Sequence, residues 1–422
     1  MLAIFVNVSR IVSEKLFESA LGITAPWFVA GVDFDVENRL LTIQVDFVAG
    51  SRFSVVGVEG KHPAHDTLTK RLRHLNFFQH ECYLEVRVPR VKLPGGEVRL
   101  VEPDWFGKLS GFTLLFEALI LLLAQQMTFR GISRLVGVSV HRIMAICNRY
   151  VALAVAEADF SEVKKLAIDE TSKARGHDYV TITADAERRA VICVTEGKDA
   201  KAVEAMASDL RAHGGDPEAV ESVSIDMSPA FIKGVTEQLP NAEITFDKFH
   251  VIQHASKAVS DTRRDEQKID PSLKGMRWKL LKRRDNLKPE DKADLDELLK
   301  NVTTKRTARA WVYQEQLREI LNRKQINVMR EMLEQWCSNV MRSKVTHMKE
   351  VASMIRNHME GIVSWARTRQ TNGFLEAING LFQAAKRKAR GYGRFETIRT
   401  IIFLIAGKLD FSKLNPHVGQ PT

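Results

Sequence analysis

Apolar and polar residues alternate through VAGVDFDVENRLLTIQVDF around a polar Glu37-Asn38 pair, which predicts a hairpin over 29–48. From 49 to 110 Gly, Pro and His residues break the pattern. Two short strand candidates remain there, CYLEVRV and GEVRLVE, so a small β-rich module is expected. At Gly111 the period turns helical, and Phe112 to Gln126 reads as a buried helix. Ile132 and Leu135 then mark a short helix, Gly137 a tight turn, and Ser139 the cap of a second helix carrying Arg142, Ile143, Ile146 and Arg149. Two short helices joined at a glycine have the shape of a helix-turn-helix, with His141 and Arg142 near the bases of a DNA major groove. An ordinary helical hairpin fits the same pattern equally well.

The next stretch predicts five strands and two helices. VKKLAIDE (163–170), DYVTITAD (178–185) and RAVICVTE (189–196) read as three meandering strands, the first ending in acid. Residues 199–212 form a helix with Val203, Met206 and Leu210 on one face. AVESVSID (219–226) is a fourth strand, again ending in acid. Ser228 and Pro229 open a helix, and AEITFDKFH (242–250) is a fifth strand. The order β-β-β-α-β-α-β matches a ribonuclease H-like α/β core, a mixed sheet with helices on both faces. Residues 251–370 carry almost no strand signal. LREILNRKQINVMREMLEQW reads as one amphipathic helix and MRWKLLKRRDNLK as a long basic one. Near the C-terminus Leu375, Ile378, Leu381 and Phe382 recur at helical spacing, followed by the basic cluster Lys386, Arg387, Lys388 and Arg390. The expected domains are 1–110 (β-rich module), 111–158 (helix-turn-helix), 159–255 (first part of the core), 256–365 (helical insertion) and 366–422 (last part of the core).

Composition narrows the partner. The 422 residues hold 62 Lys and Arg against 52 Asp and Glu, a formal charge of +10. Such a chain is drawn to polyanions, of which nucleic acid is the commonest. Its 45% apolar content allows a substantial core. The four cysteines, Cys82, Cys147, Cys193 and Cys337, are too scattered for a disulfide framework or a cysteine zinc site, and a reducing cytoplasm is expected. No signal peptide is expected. The longest apolar run, Phe112 to Ala124, is too short to span a bilayer and contains Glu117, so no membrane partner is expected.

The candidate chemistry lies in carboxylates. Phosphodiester transfer with two metal ions about 3.5–4 Å apart needs several acids converging from rigid elements. Asp169 ends the first strand and Asp226 the fourth, and these strands are neighbours in a ribonuclease H-type sheet. Glu376 sits mid-helix among apolar residues and is the candidate third acid. Each has a plainer reading as a turn, cap or surface residue, and Glu170 could replace Asp169 as ligand. Asp247 and His250, at the end of the fifth strand, are accessory candidates that could order a water, contact the scissile strand or back up a ligand. The ions would be Mg²⁺ or Mn²⁺, which oxygen donors do not distinguish.

LAIDET, SIDMSPAF, FDKFHVI and TNGFLEAINGLFQAAKRKARGYGRF closely resemble the ISL-three family of bacterial insertion-sequence transposases. PWFVAGVDFD, RHLNFFQHECYLEVRVPRV and SGFTLLFEAL extend the likeness over nearly the whole chain. The resemblance implies a DDE-type catalytic domain with Asp169, Asp226 and Glu376 as metal ligands. It implies an N-terminal region that reads the terminal inverted repeats of double-stranded DNA, a homo-oligomer on paired ends, and a nucleoid-associated cytoplasmic location. Asn372 and Asn379 flank the Glu in the family pattern and are expected to place DNA or shape the helix. The chain departs from the family twice. FSVVGVEGKHPAHD and VKLPGGEVRL lack the usual cysteines, and the remaining His62, His65, His74, His80 and Cys82 have no familiar zinc spacing, so no zinc is expected. Gln383 stands where a basic residue often follows the Glu, leaving Lys386 and Arg387 to take the phosphate. A DNA-binding protein without chemistry and a structure-specific nuclease on the same fold are the rival readings.

Overall fold

The computed structural model describes residues 14–174, 178–302 and 305–418. Two compact units divide the chain. The first comprises residues up to 157 with 385–404 and the stretch from 408; the second comprises 158–384 and 405–407.

In the first unit a helix whose described part is 14–21 (α1) precedes a six-stranded mixed sheet. The predicted hairpin is present as β1 (Trp27–Asp35) and β2 (Leu40–Phe47), paired antiparallel. β3 (Arg52–Val55), β4 (Val58–Phe77), β5 (His80–Lys92) and β6 (Val98–Leu100) complete it, with β2 and β5 parallel. Val29, Leu41, Ile43, Leu84, Val86 and Val88 form its buried face. The 20-residue β4 was not predicted. Most of its residues are solvent-exposed, so it lacks an apolar period and is held by its ladder to β5.

Three helices follow: α2 (Leu114–Gln126), α3 (Phe129–Val136) and α4 (Val140–Ala156). α3 ends at Gly137, whose φ of 72° is a left-handed cap conformation open to glycine, and α3 and α4 meet at 117°. Two details differ from expectation. Leu135 is 59% exposed and not on the buried face, and Ser139 makes no side-chain capping bond. The fully buried Glu117 accepts from the backbone N–H groups of Lys108 and Leu109 and from the Tyr150 hydroxyl, each at 2.7 Å. Among the described residues no single helix is long and apolar enough to cross a membrane.

The second unit is built on a five-stranded sheet in the order β11-β10-β7-β8-β9. β7 (Lys165–Ala174), β8 (Asp178–Asp185) and β9 (Ala190–Glu196) form an antiparallel meander. β10 (Ser222–Ile225) and β11 (Glu243–Phe246) run parallel to β7. α5 (Ala200–Ala212) and α6 (Pro229–Gln238) fill the connections. Asp199 caps α5 by accepting from Ala202 N, and Val203, Met206 and Leu210 turn inward. The fold class is thus α/β with a mixed sheet.

The remaining helices are α7 (Lys248–Glu266), α8 (Arg277–Leu281), α9 (Pro289–Leu299), α10 (Arg306–Ile320), α11 (Ile326–Arg342), α12 (Thr346–Asn357), α13 (Met359–Thr368), α14 (Gly373–Ala389) and α15 (Phe395–Ala406). The two helices read from composition are shorter than expected. The amphipathic 317–336 run breaks between α10 and α11. The basic 276–288 run splits into the five-residue α8 and a short 3-10 turn at Arg284–Asn286, because Lys282 turns extended at ψ 152°. Leu381 is 58% exposed, so the buried face of α14 is Leu375, Ile378 and Phe382.

Candidate active site

β7 runs five residues past Asp169, so Asp169 lies mid-strand and not at its end. The polar tail TSKA hid the continuation; β8 pairs with it residue by residue and supplies the ladder. Asp226 lies one residue beyond β10, the strand beside β7. Glu376 sits in the first turn of α14 and not in its middle, where acid opposes the helix dipole favourably. Asp247 and His250 are not on a strand: the Asp247 carboxylate accepts from Phe249 N at 2.9 Å and thereby starts α7.

The acids share one electrostatic neighbourhood. Burial is the main force lifting Asp169 to about 6; the Glu170 N–H and His250 oppose it, while the charges of Asp226 and Glu170 add to it. Burial also raises Glu376, reinforced by Asp247 and Asp169 and opposed by His250. Glu170 turns to Lys198, 3.5 Å away. Asp226 Oδ1 accepts from Ser228 N at 2.9 Å, a turn role that leaves its second oxygen uncommitted by that bond.

Amide side chains seat the Glu376 helix on β7. β10 pairs with β7 only as far as Ala167, so the carbonyls of Ile168, Glu170 and Ser172 lack a strand partner on that edge. Gln370 Nε2 donates to Leu166 O (2.6 Å), Asn372 Nδ2 to Ile168 O (3.0 Å), Asn379 Nδ2 to Glu170 O (3.4 Å) and Gln383 Nε2 to Ser172 O (2.9 Å). These carbonyls recur every second residue, the spacing at which a strand presents one edge. Asn379 Nδ2 also donates to Asp169 Oδ2 at 2.8 Å, and Gln383 Nε2 to Thr171 Oγ1 at 2.9 Å. Asp247 Oδ2 accepts from Asn372 N at 2.8 Å, fastening the segment before α14 to the start of α7. Gln370 escaped the sequence reading, and Gln383 entered it only as the replacement for a basic residue. Their signal was a set of amides flanking an acid on an otherwise apolar helix.

Turning the amide NH₂ groups to β7 leaves their oxygens unserved. Gln370 Oε1, Asn372 Oδ1, Asn379 Oδ1, Glu376 Oε1 and also His250 Nε2 are buried without a hydrogen-bond partner. Carboxylate and amide oxygens without donors fit a hard, hydrated divalent cation. Among the described residues no three His, Cys, Asp or Glu side chains are drawn together closely enough to hold an ion.

His141, Arg142 and Arg149 are exposed on α4. Arg142 is tied down: Nη2 donates to Ser110 O at 2.8 Å and its guanidinium lies 4.0 Å over the Phe112 ring. Lys386, Arg387 and Lys388 occupy the last turn of α14, and Arg390 follows it at φ 63°. On the β-rich module, His62, His65 and His74 lie on β4, and His80 and Cys82 on β5. His74 Nδ1 hydrogen-bonds Thr113 Oγ1 at 2.9 Å, and burial pushes the Cys82 thiol up to about 11.

The second unit thus carries Asp169 on β7, Asp226 just past the neighbouring β10 and Glu376 on α14. A family model described as transposase, for the DDE domain of this type, matches residues 166–402, more than half of the chain. A second, the helix-turn-helix domain of transposase family ISL3, matches residues 101–151. The chain belongs to transposase family ISL3. It is similar to the transposase for insertion sequence element IS1001 of Bordetella parapertussis, 26% identical over 339 residues, covering 78% of this chain and 82% of that protein. It is similar also to the transposase for insertion sequence element IS1557 of Mycobacterium tuberculosis, 26% identical over 353 residues, covering 76% and 78%.

Proposed function

We propose that this transposase binds the terminal inverted repeats of an insertion sequence, cleaves the DNA at their ends and transfers the freed strand to target DNA. The observation carrying this reading is the seating of the Glu376 helix on β7 with a direct Asn379–Asp169 hydrogen bond. The order of the five strands supports a ribonuclease H-like core. Asp169, Asp226 and Glu376 would hold two Mg²⁺ (or Mn²⁺) ions, whose chemistry when bound is to neutralise charge at the scissile phosphate and acidify a water.

The chain's own residues orient and hold. Asn379 fixes the rotamer of Asp169 through Oδ2, and Asp247 with Asn372 sets where α14 begins. His250, inside the same field of acids, would order a water or contact the scissile strand. In cleavage a water oxygen bonds to phosphorus as the P–O3′ bond breaks at the element end, leaving a 5′ phosphate on one side and a 3′ hydroxyl on the other. That hydroxyl attacks a target phosphorus, forming one P–O bond as another breaks, with no net change in phosphodiesters. Lys386, Arg387, Lys388 and Arg390 grip backbone phosphates, while His141 and Arg149 on α4 face base edges and Arg142 buttresses the helix against Phe112. Within this reading residues 1–110 form the end-binding module, 111–158 the helix-turn-helix, and 256–365 an insertion between 159–255 and 366–422, and the protein works as a homo-oligomer on paired ends.

The test is a labelled duplex bearing the inverted repeats that flank the gene, incubated with and without Mg²⁺ beside Glu376→Gln. Metal-dependent nicking at the repeat boundary that is lost in the variant is expected. Binding without cleavage, with paired ends supplied, would establish instead a DNA-binding protein without chemistry.

A further inference from the structure

Two cations lie over one indole in the second unit, and a third acts on one of them. Lys248 Nζ lies 4.1 Å from the Trp365 ring centroid and the Arg369 guanidinium 4.4 Å from it. Arg283 is close enough for its charge to act on Lys248. Among the described residues none of the three forms an ion pair with an acid. Two of the neighbouring acids are already engaged. Asp247 is spent on Phe249 N and Asn372 N, and Glu315 on Arg318 at 2.8 Å.

Like charges are held together here by specific local contacts. Arg369 ends α13 at φ 53°, the left-handed position that glycine usually takes, and donates to Arg323 O at 3.4 Å. This backbone turn folds its side chain back over Trp365. Lys248 Nζ donates to Asn322 Oδ1 at 3.1 Å. Burial, with repulsion from Arg369 and Arg283 and opposed by Asp247, holds the Lys248 ammonium below the usual lysine range. Aromatic backing steadies such cations without neutralising them. The cluster therefore keeps unspent positive charge, and an anion would relieve it.

We propose that Lys248, Arg283 and Arg369, backed by Trp365, form a binding site for backbone phosphates of double-stranded DNA. The occupant follows from position. Lys248 is next to Asp247, whose carboxylate holds Asn372, and Asn372 opens the segment leading to Glu376. Duplex lying across the acids passes this cluster, and the contacts are to phosphate, so they act whatever the sequence. The inference rests on the transposase reading and deepens it by adding a grip beside the acids.

The experiment measures fluorescence anisotropy of a labelled duplex of unrelated sequence, in EDTA, across a KCl series. The proteins are the full chain and the triple variant Lys248→Gln, Arg283→Gln, Arg369→Gln. Each lost phosphate contact lowers the slope of log K against log[KCl] by about 0.9, so the triple variant loses nearly three and binds at least tenfold more weakly at low salt. Arg283→Gln alone, an exposed and unstacked position, loses about one and keeps the test valid if the triple variant misfolds. Lys248→Arg with Arg369→Lys retains the charges and restores the slope. A control triple on α5 and α6, Lys201→Gln, Arg211→Gln and Lys233→Gln, keeps the wild-type slope. An unchanged slope in both Arg283→Gln and a folded triple variant, with wild-type binding intact, would overturn the site alone. An equal loss in the control triple would do the same. Absence of any salt-dependent duplex binding by the wild type would overturn the transposase reading together with the site.

Discussion

Removing the Asp247 carboxylate tests whether it bolts the site together or takes part in the reaction. It is almost fully buried, accepting from Phe249 N through one oxygen and from Asn372 N through the other. In Asp247→Ala the start of α7 loses its cap, at about 1 kcal/mol. The Asn372 N–H is left buried without an acceptor, at about 1–3 kcal/mol. Together these come to about 3 kcal/mol, or roughly a hundredfold in the opening equilibrium of the segment before α14. Hydrogen exchange by mass spectrometry on a peptide spanning Thr371 to Ile378 reads this directly: exchange in the variant should be about a hundredfold faster. Asp247→Asn, which keeps one acceptor oxygen, should fall between. Unchanged protection accompanied by complete loss of DNA nicking would refute the bolt and place Asp247 in the chemistry.

Burial lowers His74 to about 4, with Arg73 and His417 adding repulsion, against an ordinary 6.5. The folded state refuses a proton that the unfolded chain accepts, so stability of the first unit is lost as pH falls from 6.5 towards 4, by up to about 3 kcal/mol; His74→Gln should flatten the fall in unfolding temperature over that window. A Cβ on Gly361 would meet the Phe246 ring at 2.5 Å, so Gly361→Ala should cost about 1–3 kcal/mol and lower the unfolding temperature of the second unit; no change would mean that Phe246 has room to move. Burial and like charge raise both Asp169 and Glu376, which a divalent cation offsets, so Mg²⁺ at about ten times its Kd should stabilise the unit by about 1.4 kcal/mol, reversed by EDTA. An equal thermal shift in Glu376→Gln would place the ion elsewhere.

The elements easiest to read were those whose burial follows a period. The β1–β2 hairpin alternates, α5 repeats its apolar face, and β8 is aromatic, apolar or β-branched between its terminal Asp178 and Asp185. β4 was illegible because VEGKHPAHDTLTKRLRHLNF buries little, and pairing to β5 leaves no trace in composition. Asp247 looked like the end of a strand because TFDKFH continues the alternation of AEITF; only its bond to Phe249 N turns the chain into helix there. At the site Asp169 and Glu376 were legible as residues of a strand and a helix. What positions them was not, because Gln370, Asn372, Asn379 and Gln383 act through hydrogen bonds to carbonyls some two hundred residues away.

That separation sets an order of assembly during synthesis. The chain emerges from the ribosome with β7, Asp169 and Asp226 long before the amides that cover the β7 edge. A nascent chain that stops short of Gln370 holds Asp169 and Asp226 but has nothing to seat against Leu166, Ile168, Glu170 and Ser172, and no Glu376. On the proposed reading the cutting centre is therefore absent until translation is nearly complete, and a product that stops before Gln370 is born without one.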